Sequence, residues 1–250
     1  MMVHVQSVAA LYDIHGNRPA LDAALAEVER QDVDRILIGG DIVLGPMPRE
    51  TLARVRALGD RAILIRGNCD RLVADPHGVA IDHLPSNVRD VVIWTAEQLS
   101  ADERAFLGEL PMTVTLTVAG IGDVLFCHAT PRSDDELFTV QSTDEQLAPM
   151  FDGVTAPLVV CGHTHMQFDR RLCSLRIINA GSVGMPYGAS GAHWLRLGPS
   201  VKMQRTAYDL GAAAAAVRST DYPQAESFAS RHVLSPPTEG EMLRAFSGSR

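Results

Sequence analysis

Apolar runs alternate with amphipathic segments over the first part of the chain. The run "VQSVAALY" predicts a buried strand, "PALDAALAEVERQ" has the spacing of an amphipathic helix that starts near a proline, and "DRILIGG" predicts a second buried strand. The alternation continues with a helix in "PRETLARVRAL" and a third strand in "RAILIRG". This βαβαβ order predicts parallel strands joined by right-handed crossovers, so ligand sites are expected beyond the carboxyl ends of these strands.

The pattern changes in the rest of the chain. Residues from about 71 to 110 have helical spacing, with Ser100 as the N-cap of a second helix, and we expect a helical cap inserted there. From Met112 onwards, alternating apolar runs predict the strands of a second, more antiparallel sheet. After Asp209 an alanine run favours a helix, and a final stretch rich in Pro, Gly and Ser predicts a loosely held tail.

Composition limits the class of protein. The chain has 250 residues, of which 46% are hydrophobic and 21% charged, so we expect one main domain over residues 1–208 and a C-terminal helix with a flexible tail over 209–250. The net charge of -8 argues against general nucleic-acid or anionic-membrane binding. The sequence has no apolar run of about 18 residues, as a membrane span needs, and its cysteines lack the spacing of a disulfide scaffold. We therefore expect a cytoplasmic protein.

Ionisable and polar residues follow the apolar strands at the points where the strands end. They are Asp13 and His15, Asp41, Asn68 and Asp70, His128, and His163 and His165. Each motif alone has an ordinary explanation, because aspartate caps helices, asparagine builds turns and a single histidine is often a core residue. If all these strand ends share one sheet edge, however, carboxylates and imidazoles are concentrated there, at a cost in desolvation and repulsion that bound cations would remove.

The donor types indicate which metals are expected. Histidine nitrogen together with aspartate oxygen suits Mn, Fe, Zn, Ni or Co, whereas an oxygen-only cage would suggest Mg or Ca. The number of candidate ligands exceeds the need of one ion. Two ions roughly 3.5 to 4 Å apart and bridged by a carboxylate would use them all and leave open positions for water and substrate, as in a catalytic site.

The ordered set D-x-H, G-D, G-N-x-D, H and G-H-x-H resembles the calcineurin-like metallophosphoesterase superfamily. The segments "DIHGN" and "INAGSVGMP" are especially similar to its bacterial and archaeal phosphodiesterase branch, and the resemblance spans about residues 3 to 208. It implies an α/β fold, a four-layer αββα sandwich of two mixed β-sheets flanked by helices, with the metal site at the carboxyl edge of the sheets.

The resemblance also implies a role for each motif residue. It assigns a first metal to Asp13, His15 and His165, a second to Asn68, His128 and His163, and the bridge between them to Asp41. Asp41, Asn68 and His128 would also take part in catalysis, which is hydrolysis of a phosphoester by a metal-activated bridging hydroxide. Many members have a histidine, thought to protonate the leaving group, where this chain has Cys69. A thiol is a poor donor, so the general acid is left open.

Several neighbours of the motif residues are weaker candidates. Asn17, Cys69, Asp70 and Arg132 are expected to support the ligands or contact the substrate. Arg66, Arg71 and Arg132 could bind a phosphate, although a surface or structural ion pair explains each of these arginines at least as well. The remaining sequence gives no role to three further histidines, His4, His193 and His232.

The leading hypothesis is a dinuclear-metal phosphodiesterase that acts on a small or nucleotide-like substrate. The alternatives are a phosphomonoesterase or protein phosphatase, a dinucleoside polyphosphate hydrolase, and a non-catalytic protein-binding scaffold on the same fold. We expect a small phosphoester as partner, no general nucleic acid and no membrane. Exposed edges of the second sheet make a homo-oligomer a further expectation.

Overall fold

Two mixed β-sheets lie at the centre of the computed structural model, which describes residues 3–248. The outermost residues of the two predicted domains, 1, 2, 249 and 250, lie outside that range. The strands are β1 (Val3–Val5), β2 (Val8–Leu11), β3 (Arg35–Ile38), β4 (Ala62–Leu64), β5 (Thr113–Val118), β6 (Gly122–Cys127), β7 (Leu158–Cys161), β8 (Phe168–Leu172), β9 (Leu175–Asn179), β10 (Ala192–Leu197) and β11 (Lys202–Thr206). The first sheet has the order β11-β10-β2-β3-β4, and the second has the order β1-β5-β6-β7-β9-β8.

Helices flank the sheets and form the C-terminal part of the chain. They are α1 (Arg18–Arg30), α2 (Pro48–Arg56), α3 (Asn68–Ala74), α4 (Val79–Asp82), α5 (Ser86–Gln98), α6 (Ala101–Glu109), α7 (Asp144–Leu147), α8 (Leu210–Arg218), α9 (Ala225–Phe228) and α10 (Glu239–Gly248). Short 3₁₀ turns span Gly59–Arg61 and Ala148–Met150, and a π-helical segment spans Ala229–Leu234. Within residues 3–248, none of the helices has both the length and the apolar character to cross a membrane.

Side chains of the sheets build three apolar layers. Along β2, Val8 and Ala10 face the second sheet, whereas Ala9 and Leu11 face α1, because alternate residues of a strand point to opposite faces. The outer face of the second sheet is covered by a smaller cluster that includes Leu147 of α7. The predicted α/β architecture of two mixed sheets flanked by helices is therefore confirmed.

The first βαβαβ unit follows the sequence prediction. Strands β2, β3 and β4 are parallel neighbours. Asn17 caps α1 by accepting a hydrogen bond from the Ala20 N–H group, and a proline lies in the first turn. Ser100 caps α6 in the same way, with Glu103 closing a capping box.

The prediction of one strand over "VQSVAALY" is wrong. The segment forms two strands in different sheets, since β1 pairs with β5 and β2 pairs with β3. The chain crosses between the sheets at Gln6 and Ser7. At this crossing, side-chain oxygens accept hydrogen bonds from backbone N–H groups. Asp34 Oδ2 accepts from the Gln6 N–H group, and Ser7 Oγ accepts from the Asp34 N–H group.

The prediction of a more antiparallel second sheet is also wrong. Both sheets are mixed, with two antiparallel pairings each. The last two strands, β10 and β11, were expected in the second sheet but extend the first one beyond β2. Burial explains this placement, because Trp194 of β10 is fully buried in the cluster that also contains α1.

Helices α3 to α6, which occupy the expected cap, pack in the same apolar cluster as α1 and α2. The C-terminal helix predicted after Asp209 is present as α8. The final stretch, expected as a loosely held tail, contains α10. A capping box accounts for that helix, because Thr238 Oγ1 accepts from the Glu241 N–H group and Glu241 Oε2 accepts from the Thr238 N–H group. The domain boundary at residue 208 stays a prediction.

One hydrogen bond that joins the two sheets gives a test of how they pack together. The hydroxyl of Tyr12, a fully buried residue, donates to Val160 O at 3.0 Å. Tyr12→Phe keeps the ring and removes this bond, so we expect the free energy of unfolding in urea to fall by about 1 kcal/mol. In the matched variant Tyr208→Phe only a 3.5 Å contact with Asn17 is lost, and a smaller change is expected. Equal changes in the free energy of unfolding in the two variants would contradict a stabilising role for the Tyr12 hydrogen bond.

Candidate metal centre

The strand ends of both sheets bring the predicted ligands together. Strands β2, β3 and β4 of the first sheet are parallel to one another, as are β6 and β7 of the second, and the loops after these five strands meet. The residues that follow these ends are Asp13, His15, Asp41, Asn68, His128, His163 and His165. Their role as ligands stays a prediction, but contacts join side chains from both sheets at this edge.

Left-handed backbone is concentrated at this edge. Seven non-glycine residues of the described chain have positive φ, and five of them are candidate ligands, namely Asp13, His15, Asp41, His163 and His165, with φ between 49° and 68°. This conformation is uncommon for residues with a side chain and clusters at functional sites. It turns the chain sharply after these strands and accompanies the close approach of candidate ligands from different strands.

Two motif glycines are required by close approach to the carboxylates. A Cβ atom at Gly67 would overlap Asp41 Oδ1, and one at Gly162 would overlap Asp13 Oδ2. The glycine of "GN" therefore leaves room for the aspartate after the neighbouring strand, and that of "GHTH" leaves room for an aspartate of the other sheet, which explains their place in these motifs.

The rings of His15 and His165 are oriented by backbone carbonyls. His15 Nδ1 lies 3.2 Å from Leu44 O, and His165 Nδ1 lies 2.8 Å from Met185 O. Because a carbonyl only accepts, Nδ1 carries the hydrogen in both rings. The two Nε2 atoms then face each other 3.1 Å apart, and a hydrogen or a metal ion is needed between them.

His128 shows the same arrangement on the other side of the centre. Its Nδ1 donates to Gly39 O at 2.9 Å. Its Nε2 lies 3.1 Å from Asn68 Oδ1 and 3.5 Å from Asp41 Oδ2. The same Asp41 oxygen lies 3.7 Å from His15 Nε2, so this carboxylate stands between the two groups of ligands.

Asp13 supplies a buried oxygen without a partner. Its Oδ2 accepts from the His163 N–H group at 2.9 Å, but Oδ1 has no hydrogen bond within the described residues and lies 3.4 Å from His165 Nε2. Ligand atoms of Asp13, His15 and His165 lie within 4.8 Å of one another, and so do those of Asp41, His128 and His163. Nitrogen and oxygen donors in such groups could hold divalent metal.

The pKa values of two candidate ligand histidines are shifted in opposite directions. Burial lowers the pKa of His128, but the Asp41 and Asp13 carboxylates outweigh it and raise the value to about 10. Burial and the charge of His128 lower the pKa of His163 to about 4, so His163 is a neutral imidazole at pH 7. Burial would raise the pKa of Asp41, yet the charges of His128 and His15 keep it below its usual value. Ionised carboxylates and a neutral imidazole are the forms that bind metals.

Asp70 holds the ends of two strands in place. This fully buried carboxylate accepts hydrogen bonds from the N–H groups of Asp41 (2.8 Å), Ile42 (2.9 Å) and Gly67 (3.0 Å). It thereby fixes the backbone of Asp41 and the turn before Asn68. Asp70 supports the centre and is too deeply buried to contact a substrate.

The other weaker candidates have different surroundings. Asn17 caps α1 and donates to Gly184 O at 2.9 Å, so it joins two loops of the centre. The Cys69 thiol lies within 4.8 Å of ligand atoms of His15 and Asp41. Arg132 is largely exposed and forms an ion pair with Glu136.

Arg66 and Arg71 form ion pairs, which is the alternative to phosphate binding stated above. Both arginines contact Asp134, and Arg71 does so in bidentate geometry with two distances of 2.9 Å. The ion pair ties the start of α3 to the loop after β6, and Asp134 was not found by sequence reasoning because it carries no motif.

Sequence reasoning also missed the groups that orient the ligands. The carbonyls of Leu44 and Met185 hold two histidines through backbone atoms, which no side-chain pattern reveals. Ser182 Oγ donates to Asp13 O at 2.7 Å, and Tyr187 stacks on His165 with ring centroids 5.1 Å apart. The segment "INAGSVGMP", quoted above for its resemblance, was a usable signal for Ser182 and Met185.

The three hydrogen bonds of Asp70 give a test of its supporting role. An asparagine cannot accept all three N–H groups, since its amide nitrogen is a donor. We expect Asp70→Asn to lower the free energy of unfolding by about 2 kcal/mol, measured in urea at pH 7. Asp102→Asn, an exposed position of α6, is the matched control with an expected change below about 0.5 kcal/mol. A negligible effect at position 70 would refute the role.

Known proteins resemble this chain over most of its length. A family model described as the calcineurin-like phosphoesterase superfamily domain matches residues 7–198. The uncharacterized protein MJ0912 of Methanocaldococcus jannaschii is 27% identical over 202 residues, which cover 72% of this chain and 76% of that protein.

Two solved structures are similar in fold. The crystal structure of the hypothetical protein PH1004 from Pyrococcus horikoshii OT3 has a TM-score of 0.79 at 23% identity, and the match covers 93% of this chain and 99% of that one. The crystal structure of a metallophosphoesterase from Sphaerobacter thermophilus has a TM-score of 0.74 at 27% identity, with 93% and 100% covered. With the family model matching residues 7–198, the chain belongs to the calcineurin-like phosphoesterase superfamily.

Proposed function

We propose that the protein is a dinuclear-metal phosphoesterase that hydrolyses phosphodiesters of small or nucleotide-like molecules. Membership of the superfamily supports a hydrolase that acts on phosphoester bonds. The observation that carries the dinuclear proposal is the position of Asp41 Oδ2, 3.5 Å from His128 Nε2 and 3.7 Å from His15 Nε2. An oxygen between two histidines of different clusters is placed as a bridging ligand would be.

Each ligand group has a defined task in this proposal. Asp13, His15 and His165 hold one ion, Asn68, His128 and His163 hold the other, and Asp41 holds both. Two bound divalent ions would supply an activated water and stabilise the charge that develops on the phosphate. The backbone carbonyls behind the histidines keep the rings in the orientation that this chemistry needs.

The exposure of the candidate ligands differs between the two sides of the centre, which indicates the side from which a substrate would approach. Asn68 and His163 are half-buried, whereas the other five candidate ligands are buried. A phosphoester would therefore reach the centre from the side of Asn68 and His163. The net charge of -8 is consistent with a small substrate rather than a long nucleic acid.

Position 69 limits the leaving group. Burial and the Asp41 carboxylate raise the pKa of the Cys69 thiol well above its usual value, so the thiol stays protonated and is a weak proton donor. The proposal therefore favours phosphodiesters whose leaving group is stable as an anion, or a donor from another part of the chain.

Metal content and turnover test the proposal together. We expect purified protein supplied with Mn, Fe, Zn, Ni or Co to bind about two ions per chain and to hydrolyse a chromogenic phosphodiester faster than the matching monoester. Asp41→Asn should weaken the binding of both ions more than about tenfold and abolish turnover, because the shared ligand is lost. Elemental analysis and initial rates provide the two readings.

Asp102→Asn again serves as the control and should retain both metal content and turnover. Faster hydrolysis of the monoester would favour a phosphomonoesterase, and bound metal without turnover of either ester would favour the scaffold alternative. Normal metal content and turnover in Asp41→Asn would overturn the dinuclear assignment.

A second experiment addresses the leaving group. Cys69→His introduces a donor with a pKa near neutrality, so we expect turnover of esters with poor leaving groups to rise by about tenfold or more, while nitrophenyl esters change little. Metal content should stay the same, because Cys69 is not a proposed ligand. Cys69→Ala is the matched control and should show no such gain. A gain of the same size in both variants would point to relief of crowding rather than proton donation.

A further inference from the structure

The two groups of candidate ligands differ in how their side chains are held. In the first group, His15 and His165 each have a backbone carbonyl behind the ring. In the second group, the only hydrogen-bond contact of the Asn68 side chain within the described part of the chain is with His128, itself a candidate ligand. An ion bound by both side chains would replace this contact, so the helix that carries Asn68 has to fix its position.

Asn68 is the first residue of that helix, α3, which is anchored by two kinds of contact. Leu72 and Val73 belong to the apolar cluster that also contains residues of α1 and α2. Arg71 makes the other contact, because its Nε and Nη2 atoms donate to the two carboxylate oxygens of Asp134, both at 2.9 Å. The helix is thus joined both to the layer outside the first sheet and to the loop after β6.

The ion pair connects the two elements that carry Asn68 and His128. Arg71 follows Asn68 by about one helical turn, and Asp134 lies in the loop that begins at His128. The first element follows a strand of the first sheet, and the second follows a strand of the other sheet. The separation of these two ligands therefore depends on a contact between the sheets, and the ion pair supplies it.

Asp134 is held firmly enough to serve as the fixed partner. Its side chain is 9% exposed, and Arg66 Nε lies 3.7 Å from the same oxygen that Arg71 Nε contacts. The turn before it is closed by a hydrogen bond from the Thr130 N–H group to Ser133 O at 2.9 Å. A bidentate arginine–carboxylate pair fixes orientation as well as distance. The loop cannot shift relative to α3 without breaking two charge-assisted hydrogen bonds.

We propose that Arg71 and Asp134 are positioning residues for the second ion: their ion pair sets the separation of Asn68 and His128 and thereby the affinity of the second ligand group for metal. The inference rests on the proposed function for the assignment of two ions, and it adds two residues beyond the ligands. Because carbonyls of other loops hold the rings of the first group, the effect of the ion pair should be confined to one ion.

Binding of manganese to the full chain tests this role without turnover. Mn²⁺ is titrated into metal-free protein, free Mn²⁺ is measured by electron paramagnetic resonance, and the spin-coupled signal of two neighbouring ions reports that both sites are filled. We expect Arg71→Met to weaken the binding of one ion by about tenfold or more, so that the coupled signal appears only at higher Mn²⁺. Arg71→Lys keeps the charge without the bidentate geometry and should give an intermediate affinity.

Two ligand variants identify the ion that is weakened. In the background of His165→Ala, which leaves the second ligand group intact, Arg71→Met should weaken the remaining ion by about tenfold. In the background of Asn68→Ala, which leaves the first group intact, Arg71→Met should leave the affinity unchanged. Asp134→Asn removes the charge from the other side of the pair and should show the same selectivity, which keeps the test valid if Arg71→Met does not fold.

Arg176→Met is the matched control for the loss of an ion pair. Arg176 makes a bidentate contact with Asp169, and its side chain is 35% exposed, against 34% for Arg71. Arg176→Met should leave the affinity for both ions unchanged. A comparable fall of the unfolding midpoint in the two arginine variants would show that lost stability alone does not release an ion.

The outcomes separate this inference from the proposed function. Equal weakening of both ions by Arg71→Met, no weakening of either, or the same loss in Arg176→Met would overturn the positioning role. If the wild type binds two ions and Arg71→Met weakens the second selectively, but no ester is hydrolysed, the positioning role stands and the proposed hydrolysis fails. A wild type that binds fewer than two ions would overturn the dinuclear assignment and this inference together.

Discussion

The burial of two carboxylates among imidazole lone pairs is the constraint on which the rest of the structure depends. Asp13 Oδ1 has no hydrogen-bond partner within the described residues, and Asp41 Oδ2 faces nitrogens on both sides. Such groups are stable in a protein interior only when positive charge neutralises them. In the metal-free chain the protonation of His128, whose pKa is raised to about 10, supplies part of that charge. Two divalent ions would supply this positive charge more completely, and the strand ends of both sheets place the carboxylates where such ions could bind.

The backbone contributes strain to the same point. Five candidate ligands adopt left-handed conformations, each of which costs roughly 1 kcal/mol for a residue with a side chain. The total is on the order of 5 kcal/mol, comparable with the whole stability of a small domain. Structural zinc sites contribute about 10 kcal/mol or more at neutral pH, so bound metal can offset strain of this size. Bound metal would account together for this strain, for Asp13 Oδ1 without a partner and for the raised pKa of His128.

The sequence predicted the parts of the fold that depend on local pattern. Fully apolar runs identified β2, β3 and β4, and Asn17 and Ser100 marked helix starts, because capping is a short-range effect. It failed where a distant contact decides the outcome. The break at Gln6 depends on Asp34 across the sheet, and the placement of β10 depends on Trp194 and α1, neither of which a local window contains.

The candidate metal centre likewise combines features that follow from local sequence pattern with features that depend on distant contacts. Motif residues could be predicted as a group because several strands carry the same type of ending, and the structure places them together. Arg132 forms an ion pair with Glu136, which is the alternative that the sequence left open for it, and its contact with a substrate stays a prediction. The carbonyls of Leu44 and Met185 could not be predicted from the sequence, because their role as acceptors depends on backbone geometry alone.

The C-terminal segment shows why a domain boundary read from a family match is an incomplete guide to a site. Its apolar residues pack on Leu44 and Met185, so a change in that packing would move the carbonyls that orient His15 and His165. Small displacements of such supports alter metal affinity because ligand rings follow the acceptors behind them. Residues after 198 therefore pack against the loops that orient His15 and His165, even though the motif residues all precede them. In this chain the helices that follow the sandwich complete the surroundings of the first ligand group.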